Sequence, residues 1–294
     1  MSTLTTHPST TTSRSGPARV LRDVLRRIVT NPTTALGVTL LVLIVLAVLV
    51  GPLLWPADPN AQDLVARNAA PSWAHPLGTD SLGRDTLSRL LVGGRSSLGI
   101  TALAVAASGL GGAAVGLTAG FLGGWVDAAL MRLCDVFLAL PFLLLALMIS
   151  VTLGPGVVNT VIALTLPAIP RDARLIRAAV ITVRQADYVF AAKAAGVRPW
   201  RIATRHVLRN CVGIVVTVLC VGVAYTLLAV AGLGFLGLGV QPPDPEWGAM
   251  LTDAQTSMMS NPVAALAPGV AVLLTALAAN WCGDGLGDLT EPVR

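Results

Sequence analysis

Long apolar runs separated by polar intervals set the pattern of this chain. The first runs from Ala35 to Trp55, about 31 Å as a helix at 1.5 Å per residue, which matches the hydrocarbon thickness of a bilayer. Further apolar segments occupy 96–120, 131–153, 156–170, 211–235 and 263–282. This pattern predicts an all-α integral membrane protein with six transmembrane helices. The segment at 156–170 is short and carries Pro167 and Pro170, and its helix is expected to continue past the interface toward Ile181.

The polar intervals give the domain layout. Residues 1–17 are rich in Ser and Thr and lack apolar periodicity, so disorder is predicted there. "ARVLRDVLRRIV" then sets Val20, Val24 and Ile28 on one side and Arg19, Arg22, Arg26 and Arg27 elsewhere, a segment suited to lie along the inner membrane surface. Residues 1–34 thus form an N-terminal tail, 35–55 the first span, 56–94 an extracytoplasmic segment and 95–294 a five-helix core. The core contains a polar loop at about 171–210. The first apolar run is too long for a signal peptide and no small-x-small site follows it, so a retained anchor is expected.

Charge adds an orientation. With the N-terminus inside, sixteen of the 20 Lys and Arg residues fall on the inner side, nine of them in 171–209. Only Arg67, Arg84, Arg89 and Arg95 fall outside. Both termini are therefore expected in the cytoplasm. The net charge of +5 collects at segment ends rather than in a soluble basic domain, so no nucleic-acid partner is expected.

Composition excludes other classes. Hydrophobic residues make up 54% of the chain and charged residues 12%, too few charges for a soluble protein of this length. The four cysteines (Cys134, Cys211, Cys220, Cys282) lie in or beside apolar segments without a C-x-x-C pair, and the three histidines are scattered, so no metal site is expected. A P-loop needs a lysine in G-x-x-x-x-G-K-[ST], and the only lysine is Lys193 in "AAKAA". No hydrolase constellation is visible either, so the chain is not expected to be an enzyme. Ionisable residues in the spans are few, chiefly Asp135 and Asp172 near segment ends, which argues against a proton relay. Energy for any transport must come from partner chains.

Three stretches carry candidate function. In "DYVFAAKAAGVRPWRIATRHVLRN", Gly196 suits a left-handed helix end and Pro199 the first turn of a second helix. That second helix would place Trp200, Ala203 and Val207 on one face and Arg198, Arg201, Arg205 and Arg209 on another. By itself such a hairpin fits either a lipid-binding amphipathic loop or a docking element. In "HPLGTDSLGRDTLSR", Thr79 or Asp80 is expected to cap a helix with i,i+4 pairs Asp80–Arg84 and Asp85–Arg89. In "GLGFLGLGVQPPDPEWG", closely spaced glycines, including Gly237 and Gly239, precede three prolines and Asp244, Glu246 and Trp247. That stretch fits close helix packing through small residues or an irregular outer gate.

The run Ala191, Ala192, Gly196 and "RHVLRN" resembles the EAA loop of permease subunits in ABC importers. Two positions depart from that pattern: Phe190 stands where an acid is usual, and Arg209 where a proline is usual. His75–Leu98, Gly234–Leu251 and "PGVAVLLTALAANWCGDGLGD" resemble the C-type permeases of the dipeptide, oligopeptide and nickel importers, a likeness running from about Arg19 to Asp288. The resemblance implies a type I importer (MetI-like) fold with a cytoplasmic coupling helix, in the bacterial cytoplasmic membrane. It also implies a homologous B-type permease, two ATPase subunits or one fused chain, and an extracytoplasmic binding protein as partners, within membrane lipid. No cofactor would sit on this chain; ATP and Mg would be held by the ATPases.

On this resemblance Tyr188, Phe190, Ala191, Ala192, Gly196, Trp200, Arg201 and Arg205 form the coupling surface. Gly237, Gly239, Asp244, Glu246 and Trp247 form the gate or binding-protein contact, with Asp244, Glu246 and Trp247 facing outward. Di- or oligopeptides are the implied cargo; nickel chelates or another small solute, or a self-contained secondary carrier, are the alternatives.

Overall fold

The computed structural model describes residues 31–287, so residues 1–30 of the tail, with its amphipathic segment, and Arg294 lie outside the described residues, while 31–34 belong to the start of the first helix. Among those described, every regular element is helical. The first helix, α1 (Pro32–Leu54), starts on Asn31, whose side chain accepts the Thr33 amide at 3.2 Å, with proline in its first turn. It is joined by a largely irregular segment to α2 (Thr86–Leu122), whose 37 residues extend over about 56 Å and so outreach the hydrocarbon.

The third apolar segment, expected to be unbroken over 131–153, is two helices. α3 (Gly124–Leu138) and α4 (Phe142–Leu153) meet at an 84° bend. Pro141 precedes α4 and disfavours helical backbone in the residue before it, Leu140. α5 (Val157–Arg184) then returns along α2, with Pro167 and Pro170 buried inside it.

At the far end of α5 lie α6 (Asp187–Ala194), the single turn α7 (Pro199–Ile202) and a π-turn (Ala203–Leu208). α8 (Arg209–Phe235), the short α9 (Trp247–Ala254) and α10 (Pro262–Gly287) complete the order. Among the described residues, four helices (α1, α2, α8 and α10) are long and apolar enough to cross a membrane, and the bent pair makes a fifth candidate. α5 has the length but carries four arginines and an aspartate from Arg171 onward.

α2 and α5 form the most extensive contact, α10 packs on both α1 and α8, and α2 also meets α8. The α2–α5 seam is close because glycines line it. A Cβ added to Gly116 would lie 2.6 Å from the Ala173 carbonyl oxygen, so backbone meets backbone there.

Polar contacts define two ends. At one, Asn68 accepts from Ser257 at 2.7 Å, Asn261 donates to the carbonyls of Ala69 and Thr79, and the Gly156 amide donates to Gly239 O at 3.2 Å. At the other, Arg184 donates to Gly120 O at 3.3 Å beside the α2–α3 turn. α3 and α4 together therefore lead from one end of the bundle to the other.

The helix expected to begin at Thr79 or Asp80 begins instead at Thr86, capped by Asp85, which accepts the Ser88 amide at 2.7 Å. Asp85 is thereby committed, also receiving the Trp55 indole N–H at 3.2 Å and lying 2.8 Å from His75 Nδ1. It does not pair with Arg89. Arg84 binds Asp80 at 2.6 Å and Asp253 at 2.8 Å, and Arg89 lies 3.6 Å and 3.8 Å from the same two acids. Both arginines are buried. These charges tie the irregular segment to α9 rather than decorating an exposed helix.

Pro52 inside α1 cannot donate to Val48 O, the carbonyl four residues back. Arg95 of α2 supplies the missing donor, with Nε 3.1 Å from Val48 O and Nη2 2.8 Å from Leu49 O. Replacing Arg95 by leucine is expected to destabilise the protein by about 2 kcal/mol, read as a lower melting temperature in detergent. Adding Pro52→Ala, which returns an N–H to Val48 O, is expected to recover part of that loss. Equal losses in the single and double variants would refute this pairing.

Candidate functional site

The hairpin end is built on one apolar cluster. Ile176, Ala179 and Val180 of α5 pack with Val189 of α6, Ile202 of α7, Val207 and Cys211, all buried. The hairpin is thus rooted on three long helices, since Leu117 and Phe121 of α2 also join this cluster. α6 ends on Gly196, at φ +73. Its amide donates to Lys193 O at 3.0 Å and the Val197 amide to Ala192 O at 3.1 Å. Those two bonds are a Schellman cap, which needs the left-handed conformation that glycine adopts without strain.

What remains of the hairpin faces out. Tyr188, Phe190 and Trp200 are 45%, 56% and 61% exposed, and Ala191, Gly196, Arg198, Arg201 and Arg205 are exposed with them. Ala192 is only half exposed and packs into the apolar root. Two cations lie over rings, Lys193 at 5.5 Å from Phe190 and Arg201 at 5.9 Å from Trp200. An exposed aromatic and basic surface of this kind suits an acidic protein partner or an anionic membrane surface.

One expected feature is corrected. Trp200 does not share a face with Ala203 and Val207, which are buried while Trp200 is not. α7 is one turn long and the π-turn after it winds more residues per turn, so the 3.6-residue phase does not carry from Trp200 to Val207.

At the opposite end, the sequence-selected residues divide. Asp244 and Gly237 are exposed, while Gly239 is buried with a Cβ position 3.0 Å from Gly234 Cα. Glu246 is 0% exposed and Trp247 1%, so neither faces outward. Glu246 caps α9: Oε1 accepts the Gly248 amide at 2.9 Å and the Ser97 hydroxyl at 2.8 Å, and Oε2 accepts the Ala249 amide at 3.0 Å. The Ser97 oxygen in turn accepts the Trp247 amide at 3.1 Å, and the Trp247 indole donates to Leu90 O at 2.9 Å.

Burial pushes the Glu246 carboxyl above the usual carboxylate range, against the pull of those three donors. α8 comes close to this cap, since a Cβ on Gly234 would fall 2.0 Å from Glu246 Oε2. Glu246 and Trp247 therefore join α9 to α2 and α8. Ser97 and Gly234 complete this joint: Gly234 belongs to the glycine run that fits close helix packing, whereas no motif in the sequence marks Ser97.

Residues 112–292 match the family described as the binding-protein-dependent transport system inner membrane component. Residues 20–71 match the N-terminal TM domain of oligopeptide transport permease C. The chain belongs to this family of permeases, and it is a permease subunit of a binding-protein-dependent importer.

Its relatives are close over most of their length. It is 42% identical to the glutathione transport system permease protein GsiD of Pectobacterium atrosepticum, over 81% of this chain and 80% of the relative. It is 39% identical to the probable D,D-dipeptide transport system permease protein DdpC of Escherichia coli K12, over 89% and 88%. It is 43% identical to the di/tripeptide transport system permease protein DppC of Pseudomonas aeruginosa, over 87% and 86%.

Proposed function

We propose that this chain is the C-type half of the translocation pathway in an ATP-driven importer of di- and oligopeptides, and that the hairpin 187–208 couples it to the ATPases. The observation that carries this reading is the exposed Tyr188–Phe190–Trp200 surface with Arg201 and Arg205, rooted through Val189, Ile202 and Val207 on α2, α5 and α8. A push on that surface reaches three long helices at once. Arrangements of the spans that differ in their fit to closed ATPases would then be selected by ATP binding.

Six crossings follow if the bent α3–α4 pair counts as one and α5 as another, which places the termini on the hairpin side. The basic residues from Arg174 to Arg209, at the end of α5 and in the hairpin, support a cytoplasmic position for that side in a bacterial cell. Partners in this reading are a homologous B-type permease, two ATPases holding ATP and Mg, and an extracytoplasmic binding protein. Peptide cargo is supported by the names of the relatives, and outward-facing Asp244 remains the candidate contact for the binding protein.

The test is reconstitution. The complete complex in liposomes is expected to take up di- and tripeptides only with ATP on the hairpin side and binding protein on the other. Uptake by this chain alone, without ATP, would instead establish a self-contained carrier.

A further inference from the structure

Residues of α5 and α8 line a cavity of about 490 Å³. Pro167, Arg171 and Leu175 line it from α5 at intervals of four, and Thr217, Val221 and Tyr225 line it from α8 at the same interval, with the α3–α4 bend closing one side. Arg171 lies about 21 Å along α5 from Val157, well inside the expected hydrocarbon thickness. A cation at that depth is costly unless it faces protein or water.

Here it is held from behind. Its Nε and Nη2 lie 3.1 Å and 3.0 Å from Asp172 Oδ1, with the Asp172 side chain only 2% exposed, and its guanidinium carbon lies 5.5 Å from the Tyr225 ring centroid. Asp172 and Tyr225 fix the guanidinium plane but engage one edge and one face only. Among the described residues that line the cavity, Arg171 is the only charged one. A guanidinium presented this way suits a carboxylate.

We propose that this cavity is a way station in the translocation path and that Arg171 receives the carboxylate of the passing peptide. The proposal rests on the peptide-importer reading above and adds a contact within the membrane, on residues unrelated to the coupling hairpin. The same carboxylate chemistry could be offered by an acidic side chain of the partner permease, and the experiment separates the two.

Uptake of tri-alanine and of its C-terminal amide is measured in proteoliposomes holding the complete importer, each peptide supplied on saturating binding protein. Removing Arg171 alone would strand the buried Asp172 charge, so the decisive variant is Arg171→Gln/Asp172→Asn. It is expected to slow tri-alanine about tenfold and leave the amide at its wild-type rate, as loss of one charge-assisted contact requires. Arg171→Lys, which keeps the charge but not the planar fork, is expected to slow tri-alanine less than the double variant does and to leave the amide unchanged. Equal slowing of both peptides by the double variant would assign Arg171 to the partner permease or to packing, and wild-type uptake of tri-alanine would remove it from the path. A wild-type importer that moves neither peptide would overturn the peptide reading and this proposal together.

Discussion

Glu246→Ala is expected to destabilise the protein by about 3 to 5 kcal/mol through the joint of α9 with α2 and α8. The change leaves the Gly248 and Ala249 amides and the Ser97 hydroxyl without their acceptor in a place from which water is excluded. It also removes the cap of α9 and opens a void where α2, α8 and α9 converge. The effect should appear as early thermal unfolding of the purified complex and as poor accumulation in the membrane.

Two neighbours give the comparison its meaning. Glu246→Gln keeps the shape but turns an amide N–H toward one of the three donors, so its loss should be intermediate. Asp244→Ala lies two residues away and is exposed, so stability should stay within about 0.5 kcal/mol of wild type. If Asp244→Ala instead lowers uptake, that loss reports an outward contact and not the joint. Normal melting of Glu246→Ala would show that the carboxylate does not hold α9 in place.

This division shows where sequence reading reached and where it stopped. The apolar periods locate the long helices, because a run of about twenty apolar positions has few alternatives in a bilayer. They do not locate all of their ends: α2 begins at Thr86, ten residues before the expected 96, since its first turns mix polar and apolar residues. The charge asymmetry and the Gly196–Pro199 layout locate the hairpin and its turn, since left-handed backbone and helix starts have residue-specific requirements. The glycine- and proline-rich stretch at 232–247 was legible as irregular, but not the direction of its side chains. Glutamate is an uncommon helix cap, and its partner Ser97 lies 149 residues away, so no local pattern links them.

The same holds for Arg95 and Pro52, and for Asp80, Arg84, Arg89 and Asp253. Each was visible as a charge or a helix breaker, yet its meaning depends on a residue brought close only by packing. Asp80 and Arg84 had the right spacing for a helical pair and do pair, but in a turn that the i,i+4 rule does not describe. The 84° bend between α3 and α4 was signalled by Pro141 alone, inside a run whose hydropathy favours a straight span.

Gly196→Trp is expected to abolish ATP-driven uptake while leaving the complex assembled. At φ +73 any L-residue meets strain of about 1 to 2 kcal/mol, and a Cβ at this position meets no atom of the chain within 4 Å. Alanine and tryptophan therefore share the backbone strain and differ in the bulk projecting from the exposed turn. Gly196→Ala should lower stability slightly and keep most of the uptake. Tryptophan should hold the ATPase surface away from Tyr188, Phe190 and Trp200, so that hydrolysis no longer responds to the loaded binding protein. If the two variants fail alike, strain in the Schellman turn is the cause and docking at Gly196 is not close. If Gly196→Trp retains binding-protein-stimulated hydrolysis and uptake, the hairpin meets its partner elsewhere. The basic face of Arg198, Arg201 and Arg205 would then serve the anionic membrane surface, the other use that their charge allows.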